Sequence, residues 1–289
     1  MAQARAIKSR IKSAKNIAQI TKAMEMVSAA KMKKAQDRVR QSEPYATKLR
    51  QILRTLAGLV KNAQHPLLNK NASPKNALIV VISSDKGLSG ALNSNVYRET
   101  GTLLRQLTLQ GVETEFIAIG KRSSQFLRYT RRKIAAVFDG LGDKVQYGMI
   151  TPIVHLIIEG FIEKKYDAIY VIYPRFVSTL VQKTERIQLL PISLEESDKK
   201  AHNTAGQVPV FEPSSEAILN WLLPYYVEQQ MYQFVLQSSA SEHSARMIAM
   251  KNATDNAKDV RKSLELEYNS ARQAQITQQI AEIASATMV

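Results

Sequence analysis

Residues 225–289 have the sequence YYVEQQMYQFVLQSSASEHSARMIAMKNATDNAKDVRKSLELEYNSARQAQITQQIAEIASATMV, which contains neither glycine nor proline. As one helix, rising about 1.5 Å per residue, this stretch would be roughly 100 Å long, far longer than the usual helix of a globular domain. A helix of that length needs a partner along its apolar side. The stretch therefore predicts a long helix that packs against a second one.

Residues 1–43 also lack glycine and proline, which makes them the candidate partner. Their apolar residues recur in steps of three and four, along one side of a helix: Ile7, Ile11, Ala14, Ile17, Ile20, Met24 and Val27. An alanine-rich seam follows the C-terminal segment: Met231, Val235, Ala245, Ala249, Ala253, Val260, Leu264, Ala271 and Ala274. The two patterns predict a slender antiparallel coiled coil of the terminal helices, and an ordinary helical bundle is the alternative.

The middle of the chain has a different pattern, because all eleven glycines and all nine prolines lie at positions 44–224. Short β-branched runs alternate there with helical patterns, which favours a small Rossmann-like α/β domain with a largely parallel sheet. Strands are predicted at 76–84, 115–119, 135–138, 168–173 and 186–192. The fold class is therefore α/β, with a small domain inserted into a long antiparallel coiled coil. The predicted boundaries are 1–60 for the N-terminal helix, 61–212 for the α/β domain and 213–289 for the C-terminal helix.

The composition excludes several kinds of site. The chain has no cysteine, so it can form neither a disulfide nor a thiolate metal site. The four histidines, His65, His155, His202 and His243, are scattered rather than paired at metal-ligand spacing. No apolar run approaches the length of a membrane span. These patterns predict a chain that is not an enzyme and that holds neither a metal nor a cofactor.

Two local features allow more than one interpretation. The turn at 85–90, DKGLSG, lies between a strand and a helix, where backbone amides could bind phosphate. It matches neither the dinucleotide fingerprint nor the P-loop, which favours a structural turn over a nucleotide site. Trp221 is the only tryptophan of the chain. We expect it to pack in the core at the base of a helix rather than to offer a stacking surface.

The positive charge is concentrated near the N-terminus. The net charge is +15, and residues 1–60 carry fourteen Lys or Arg against three acidic residues. The densest basic segment lies on the N-terminal helix: Lys31, Lys33, Lys34, Arg38 and Arg40. Such a surface fits an acidic partner, either nucleic acid or a carboxylate-rich protein loop, and a solvated helix face is the third interpretation. The charge alone leaves a basic coiled-coil protein that binds nucleic acid as an alternative function.

Four strings resemble one family. ITKAMEMV at 20–27, with AAKM at 29–32, and SEHSARMIAMKNATDNA at 241–257 are similar to signatures of the gamma subunit of F-type ATP synthases. YNSARQAQIT at 268–277 and SDKGLSG at 84–90 resemble the same family, in the same order along the chain. The resemblance implies that the terminal helices form the central shaft of a rotor, inside a ring of three alpha and three beta subunits. The shaft would couple proton-driven rotation of the c-ring to ATP synthesis or hydrolysis at the beta subunits without doing chemistry itself.

The resemblance also implies roles for individual residues. Met24, Lys31, Lys33 and Lys34 would face the acidic lever loop of beta, and Arg272, Gln273 and Thr277 would contact the catch loops of the surrounding ring. Ile276, Ile280 and Ile283 would line an apolar bearing, and Phe211 and Glu212 would lie near the epsilon subunit and the c-ring. The absence of a transit peptide and of cysteine favours a bacterial subunit, bound peripherally at the cytoplasmic face of the plasma membrane.

Overall fold

The computed structural model describes residues 2–59, 65–69, 71, 73–142, 145–192, 212 and 214–286. The helices are α1 (Ala2–Leu59), α2 (Leu92–Leu109), α3 (Lys121–Tyr129), α4 (Thr151–Ile162) and α5 (Ser215–Ala286). The strands are β1 (Asn76–Ile82), β2 (Glu113–Ile119), β3 (Ile134–Phe138), β4 (Ala168–Phe176) and β5 (Gln182–Leu190). Single 3-10 turns lie at Pro66–Leu68 and Tyr147–Met149. Helix α1 continues through Pro44, so this proline does not start a new segment.

The chain divides into two compact units. The helical unit comprises Met1–Ala30 and Arg246–Val289, and the α/β unit comprises Lys31–Ala245. Both long helices therefore contribute residues to each unit. The predicted fold class is confirmed: long terminal helices flank a domain with a largely parallel five-stranded sheet.

A heptad seam forms the core of the helical unit. On α1 the buried residues are seven positions apart: Ile7, Ala14, Thr21 and Ser28. On α5 they are Arg246, Met250, Thr254, Ala257 and Leu264, spaced by four, four, three and seven. This is the repeat of a two-stranded coiled coil, in which every seventh residue faces the partner helix.

The periodicity of α1 predicts only part of this seam. Ile7 and Ala14 are buried as expected, whereas Ile17, Ile20 and Val27 are more than half exposed. Beyond Ala14, the buried positions hold the small polar residues Thr21 and Ser28. The buried positions recur every seven residues, whereas the apolar residues recur in steps of three and four, so the two series diverge along the helix. Part of the apolar surface of α1 is therefore left open.

The sheet of the α/β unit has the strand order β3-β2-β1-β4-β5. The first four strands are parallel, with Val80 of β1 opposite Ile117 of β2 and Val171 of β4. Strand β5 is an antiparallel edge strand beside β4. This order is the Rossmann-like arrangement that the alternating pattern predicts.

Both faces of the sheet are covered, which explains why β1 is a continuous apolar run. On one face Leu78, Val80 and Ile82 belong to a core with side chains of α1, α4 and α5. On the other face Ala77, Ile79 and Val81 pack with side chains of α2 and α3. Among the described residues, none of the helices contains an apolar stretch long enough to span a bilayer.

Candidate functional surfaces of the two units

A buried polar contact crosses the seam of the helical unit. The hydroxyl oxygens of Thr21 and Thr254 lie 2.7 Å apart. Thr21 Oγ1 also lies 2.9 Å from the carbonyl oxygen of Ile17, and Thr254 Oγ1 lies 2.8 Å from that of Met250. A polar pair at a seam position fixes the register of two helices, because any other register leaves a hydroxyl opposite an apolar side chain.

The C-terminal end of α5 presents its predicted contact residues to solvent. Ile276, Ile280 and Ile283 are exposed, with Ile280 at 61% of its accessible surface. They recur at i, i+4 and i+7, so they form one apolar row along the helix. Arg272, Gln273 and Thr277 are also exposed. All six side chains are therefore exposed on this end of α5.

The predicted contact residues of α1 differ in exposure. Met24, in the helical unit, is half-buried. In the α/β unit, Lys31 is half-buried, whereas Lys33 and Lys34 are exposed. Of the two residues expected near epsilon and the c-ring, Glu212 is exposed. Phe211 lies outside the described residues.

The turn at 85–90 is built as a structural junction. Asp85 accepts hydrogen bonds from the backbone N–H of Lys121 at 3.0 Å and from that of Gly140 at 3.1 Å. These two residues follow the carboxyl ends of β2 and β3, so one carboxylate links the ends of three neighbouring strands. The geometry supports the structural interpretation of this turn, because the carboxylate of Asp85 links neighbouring segments and its negative charge disfavours a phosphate beside it.

Three serines of α5 dock this helix onto the sheet of the α/β unit. The hydroxyl of Ser239 donates to the carbonyl oxygen of Gly142 at 2.6 Å, and that of Ser241 donates to Pro174 at 2.9 Å. The hydroxyl of Ser244 donates to the carbonyl oxygen of Thr179 at 2.6 Å. Reasoning from the sequence missed this role. The available signal was a run of small polar residues inside a long helix, which is unusual unless they pack closely.

Trp221 lies on the surface, and the prediction that it packs in the core is wrong. Its side chain is 69% exposed and stacks on Tyr225, with ring centroids 5.8 Å apart and planes inclined by 12°. The buried face of this part of α5 is taken by Leu219, Leu222 and Leu223. In a helix, residue 221 points away from that face.

The exposed aromatic pair borders a groove of about 520 Å³ between α4 and α5. The groove is lined by Thr151, Val154, His155, Ile158, Glu159, Asn220, Trp221, Pro224, Tyr225 and Glu228. Glu228 accepts hydrogen bonds from the hydroxyl of Tyr147 at 2.9 Å and from that of Thr151 at 2.5 Å. Burial, together with the hydrogen bond to Glu228, raises the pKa of Tyr147. The phenol therefore remains a donor to this carboxylate.

Two further carboxylates, those of Glu115 and Asp167, stabilise the end of the sheet that lies opposite the turn at 85–90. Glu115 accepts a hydrogen bond from Tyr166 and pairs with Lys133 and Lys165, each at 3.1 Å. Burial opposes ionisation of Glu115, but these partners outweigh it and hold its pKa below the usual value. Among the described residues, no cluster of three histidine or acidic side chains is placed to hold a metal ion.

The carboxylate of Asp167 accepts hydrogen bonds at the amino end of β1. It accepts from the backbone N–H of Lys75 at 2.8 Å, from that of Asn76 at 3.0 Å and from the side-chain amide of Asn71 at 2.7 Å. Burial raises the pKa of Asp167, but these hydrogen bonds to the ionised form outweigh burial and leave the pKa below its usual value.

Comparisons with known proteins agree along the whole chain. A family model described as ATP synthase matches residues 3–288. The ATP synthase gamma chain of Xanthomonas axonopodis pv. citri is 41% identical over 285 residues, covering 99% of this chain and 98% of the relative. The gamma chain of Pelotomaculum thermopropionicum is 43% identical over 283 residues, covering 98% and 97%.

Solved structures with a similar fold come from mitochondrial ATP synthases. The central stalk and c-ring structure from Tetrahymena thermophila contains a chain that is 27% identical, with a TM-score of 0.59, covering 81% of this chain and 99% of that one. The rotor structure from Euglena gracilis contains a chain with a TM-score of 0.67 at 18% identity, covering 95% and 99%, which shows the shared fold. With the family model and the curated relatives spanning nearly all of its length, the chain belongs to the ATP synthase gamma chain family.

Proposed function

We propose that this chain is the central shaft of an F-type ATP synthase rotor, which couples rotation of a c-ring to ATP synthesis or hydrolysis in neighbouring beta subunits. The observation that carries the proposal is the exposed apolar row Ile276, Ile280 and Ile283 on α5. Solvated helices rarely keep three large apolar residues on one open face, so the row indicates a surrounding partner surface. The chain is the non-catalytic subunit of such a complex.

The partners follow from the assemblies in which the similar chains were solved. Those structures are described as central stalk with c-ring, and as F1 with c-ring. We therefore assign this chain a ring of three alpha and three beta subunits, an epsilon subunit and a c-ring as partners. The ring would enclose the helical unit. The sheet-containing part of the chain would contact epsilon and the c-ring, with Phe211 and Glu212 near that surface.

The residue roles belong to the same proposal. Met24 and the basic segment Lys31–Lys34 would face the lever loop of beta, where acidic side chains complement the lysines. Arg272, Gln273 and Thr277 would bind the catch loops. The three isoleucines would form the apolar bearing. The exposure of Lys33, Lys34 and the C-terminal residues supports these assignments.

The domain boundaries and the location complete the proposal. We retain 1–60 and 213–289 as the shaft helices and 61–212 as the inserted α/β domain. The curated relatives cited above come from bacteria. This supports a peripheral position on the cytoplasmic face of the bacterial plasma membrane, held there through other subunits.

Nucleic-acid binding gains no support. None of the similar proteins cited above is described as binding nucleic acid. The basic segment of α1, from Lys31 to Arg40, contains no aromatic residue on which bases could stack. The positive charge is better explained by an acidic protein loop, because the family to which the chain belongs assembles with other proteins.

Reconstitution tests the proposal. The full chain is mixed with alpha and beta subunits from a related bacterial enzyme, and the complex is measured by mass and ATPase activity. We expect one copy of this chain for three copies of each partner, with ATP hydrolysis. Lys33→Glu and Lys34→Glu together should weaken the complex. Lys164→Glu and Lys183→Glu together are the matched control and should not, because both lysines are exposed in the sheet-containing part of the chain and face neither alpha nor beta in the proposal. Failure of the wild-type chain to assemble where a native gamma chain does would refute the proposal.

A further inference from the structure

The groove between α4 and α5 is formed by one face of each helix. On α5 the lining residues Trp221, Tyr225 and Glu228 lie at i, i+4 and i+7. On α4 they run from Thr151 to Glu159 with the same spacing. Two aligned faces make a continuous trough, and its volume of about 520 Å³ falls within the range of small-molecule sites.

The floor and the rim of the groove differ in chemistry. The floor is apolar, with Val154, Ile158 and Pro224. The rim carries the carboxylates of Glu159 and Glu228, and the imidazole of His155 lies 3.0 Å from Glu159. None of the residues described as lining the groove is lysine or arginine. This is notable in a chain with forty Lys or Arg against twenty-five acidic residues. The lining therefore disfavours anions and suits a molecule with an apolar body and a positive charge.

Glu228 is held in a fixed orientation. Each of its two oxygens accepts one hydroxyl hydrogen bond, from Thr151 and from Tyr147. A carboxylate has about four acceptor positions, so about two stay available to a ligand. Because the donors belong to the turn before α4 and to its first residue, the carboxylate is positioned before any ligand arrives.

The aromatic wall adds a second recognition element. The face of Trp221 that is not covered by Tyr225 is open to solvent. Aromatic faces attract cations, and Tyr225 lies about one turn before Glu228 on this wall, so the ring beside the carboxylate favours a positive charge there. Glu228 lies two helical turns beyond Trp221 on the same side of α5. The two side chains start about 10 Å apart along the helix axis with Tyr225 between them, so the charged group of a ligand belongs at Glu228 and its apolar body along the two rings.

We propose that the groove between α4 and α5 binds small organic ammonium compounds with an apolar body, the ammonium group lying at Glu228 and the body on Val154, Ile158, Pro224 and the ring of Trp221. The proposal is independent of the rotor role, because it is tested on the full chain without partner subunits.

The single tryptophan supplies the signal for the test. Benzylammonium is titrated into the full chain and the fluorescence of Trp221 is recorded, with benzyl alcohol as the neutral compound of the same shape. We expect benzylammonium to bind about tenfold more tightly than the alcohol at low salt, and added NaCl to reduce the difference. Calorimetry on the same samples detects binding that leaves the fluorescence unchanged.

Variants assign the site. Glu228→Gln should reduce the affinity for benzylammonium to that for the alcohol, whereas Glu216→Gln, an exposed glutamate on α5 outside the groove, should leave it unchanged. Trp221→Phe should abolish the fluorescence signal and weaken binding by calorimetry. Glu159→Gln is the second charge variant, to be used if Glu228→Gln lowers the melting temperature.

Three results would overturn the proposal. One is equal affinity for the amine and the alcohol, and another is absence of binding by both methods. The third is a lysine-containing dipeptide that binds far more tightly than benzylammonium, which would assign the groove to a polypeptide partner instead. A failed reconstitution with alpha and beta subunits would not affect these titrations, so the two proposals fail separately.

Discussion

The hydroxyls of Thr21 and Thr254 have two protons for four contacts: with each other and with the carbonyl oxygens of Ile17, Ala18 and Met250. Either Thr21 donates to Thr254, which then donates to the carbonyl of Met250, or Thr254 donates to Thr21, which then donates to the carbonyl of Ile17. Both arrangements satisfy both hydroxyls inside the seam. The pair therefore avoids the cost of a buried unsatisfied polar group, which is about 1–3 kcal/mol.

We expect Thr21→Val to lower the free energy of unfolding of the helical unit by about 1 kcal/mol, since it removes the contact across the seam. The double variant Thr21→Val with Thr254→Val should recover most of this loss, because two apolar side chains then face each other. Thermal unfolding followed by circular dichroism measures both effects. Strictly additive single and double variants would show that the two hydroxyls are not coupled.

A glycine on α4 is predicted to resist substitution. A Cβ added to Gly160 would lie 2.7 Å from Cε2 of Tyr166, a ring fixed by the contact of its hydroxyl with Glu115. Gly160→Ala should therefore lower the free energy of unfolding by about 1–3 kcal/mol. Gly101→Ala is the control, because Gly101 in α2 has no atom within 4 Å of the added Cβ. It should gain up to about 1 kcal/mol from helix propensity. Denaturant unfolding of both variants measures the contrast, and a stabilising Gly160→Ala would contradict this account of the packing.

The carboxylate of Asp167 should make the α/β unit sensitive to acid. Its folded-state pKa lies below the usual value of 3.8, so its contribution is complete above about pH 5 and is lost as the pH falls through the folded pKa. Asp167→Asn should therefore be less stable than wild type at pH 7, with a difference that shrinks below pH 3.8. Asp139→Asn, at an exposed position, is the control for the loss of one surface carboxylate. A difference that stays constant down to pH 2 would exclude this linkage.

The exposed row on α5 separates assembly from folding. Ile280→Asp should change the stability of the isolated chain by less than about 0.5 kcal/mol, because the side chain is already in solvent. In the reconstituted complex it should reduce affinity for the ring by about tenfold or more, since a carboxylate would be buried without a partner. Ser94→Asp, an exposed change on α2 outside the helical unit, is the control for added charge. Equal assembly of the two variants would remove Ile280 from the proposed bearing.

The sequence predicts the architecture better than it predicts the surfaces. Glycine and proline are confined to positions 44–224, which is enough to separate the long helices from the α/β domain. The spacing of apolar residues does not predict the buried face when two rows of residues on one helix could both face a partner. Ile20 and Thr21 illustrate this. The apolar residue is exposed and the polar one is buried. Which stripe is covered depends on the partner helix, and local patterns do not contain that information.

Trp221 illustrates the same difficulty at a site. A large aromatic residue beside leucines favours burial from composition, yet the helix has only one face toward the core, and Leu222 and Leu223 occupy it. The groove that includes Trp221 also depends on residues of α4, about seventy positions earlier. Such a site becomes visible only when the two helices are placed side by side.

The serines that dock α5 also determine how this helix resists torque. Ser239 and Ser241 point about 200° apart around the helix axis, because successive residues turn by about 100°. The carbonyls of Gly142 and Pro174 therefore hold the helix from nearly opposite sides. A purely apolar contact would allow the helix to rotate about its own axis. Rotation of α5 instead stretches the hydrogen bonds of Ser239 and Ser241, which lie on nearly opposite sides of the helix. A torque that acts on α5 about its axis is therefore transmitted to the sheet through these hydrogen bonds.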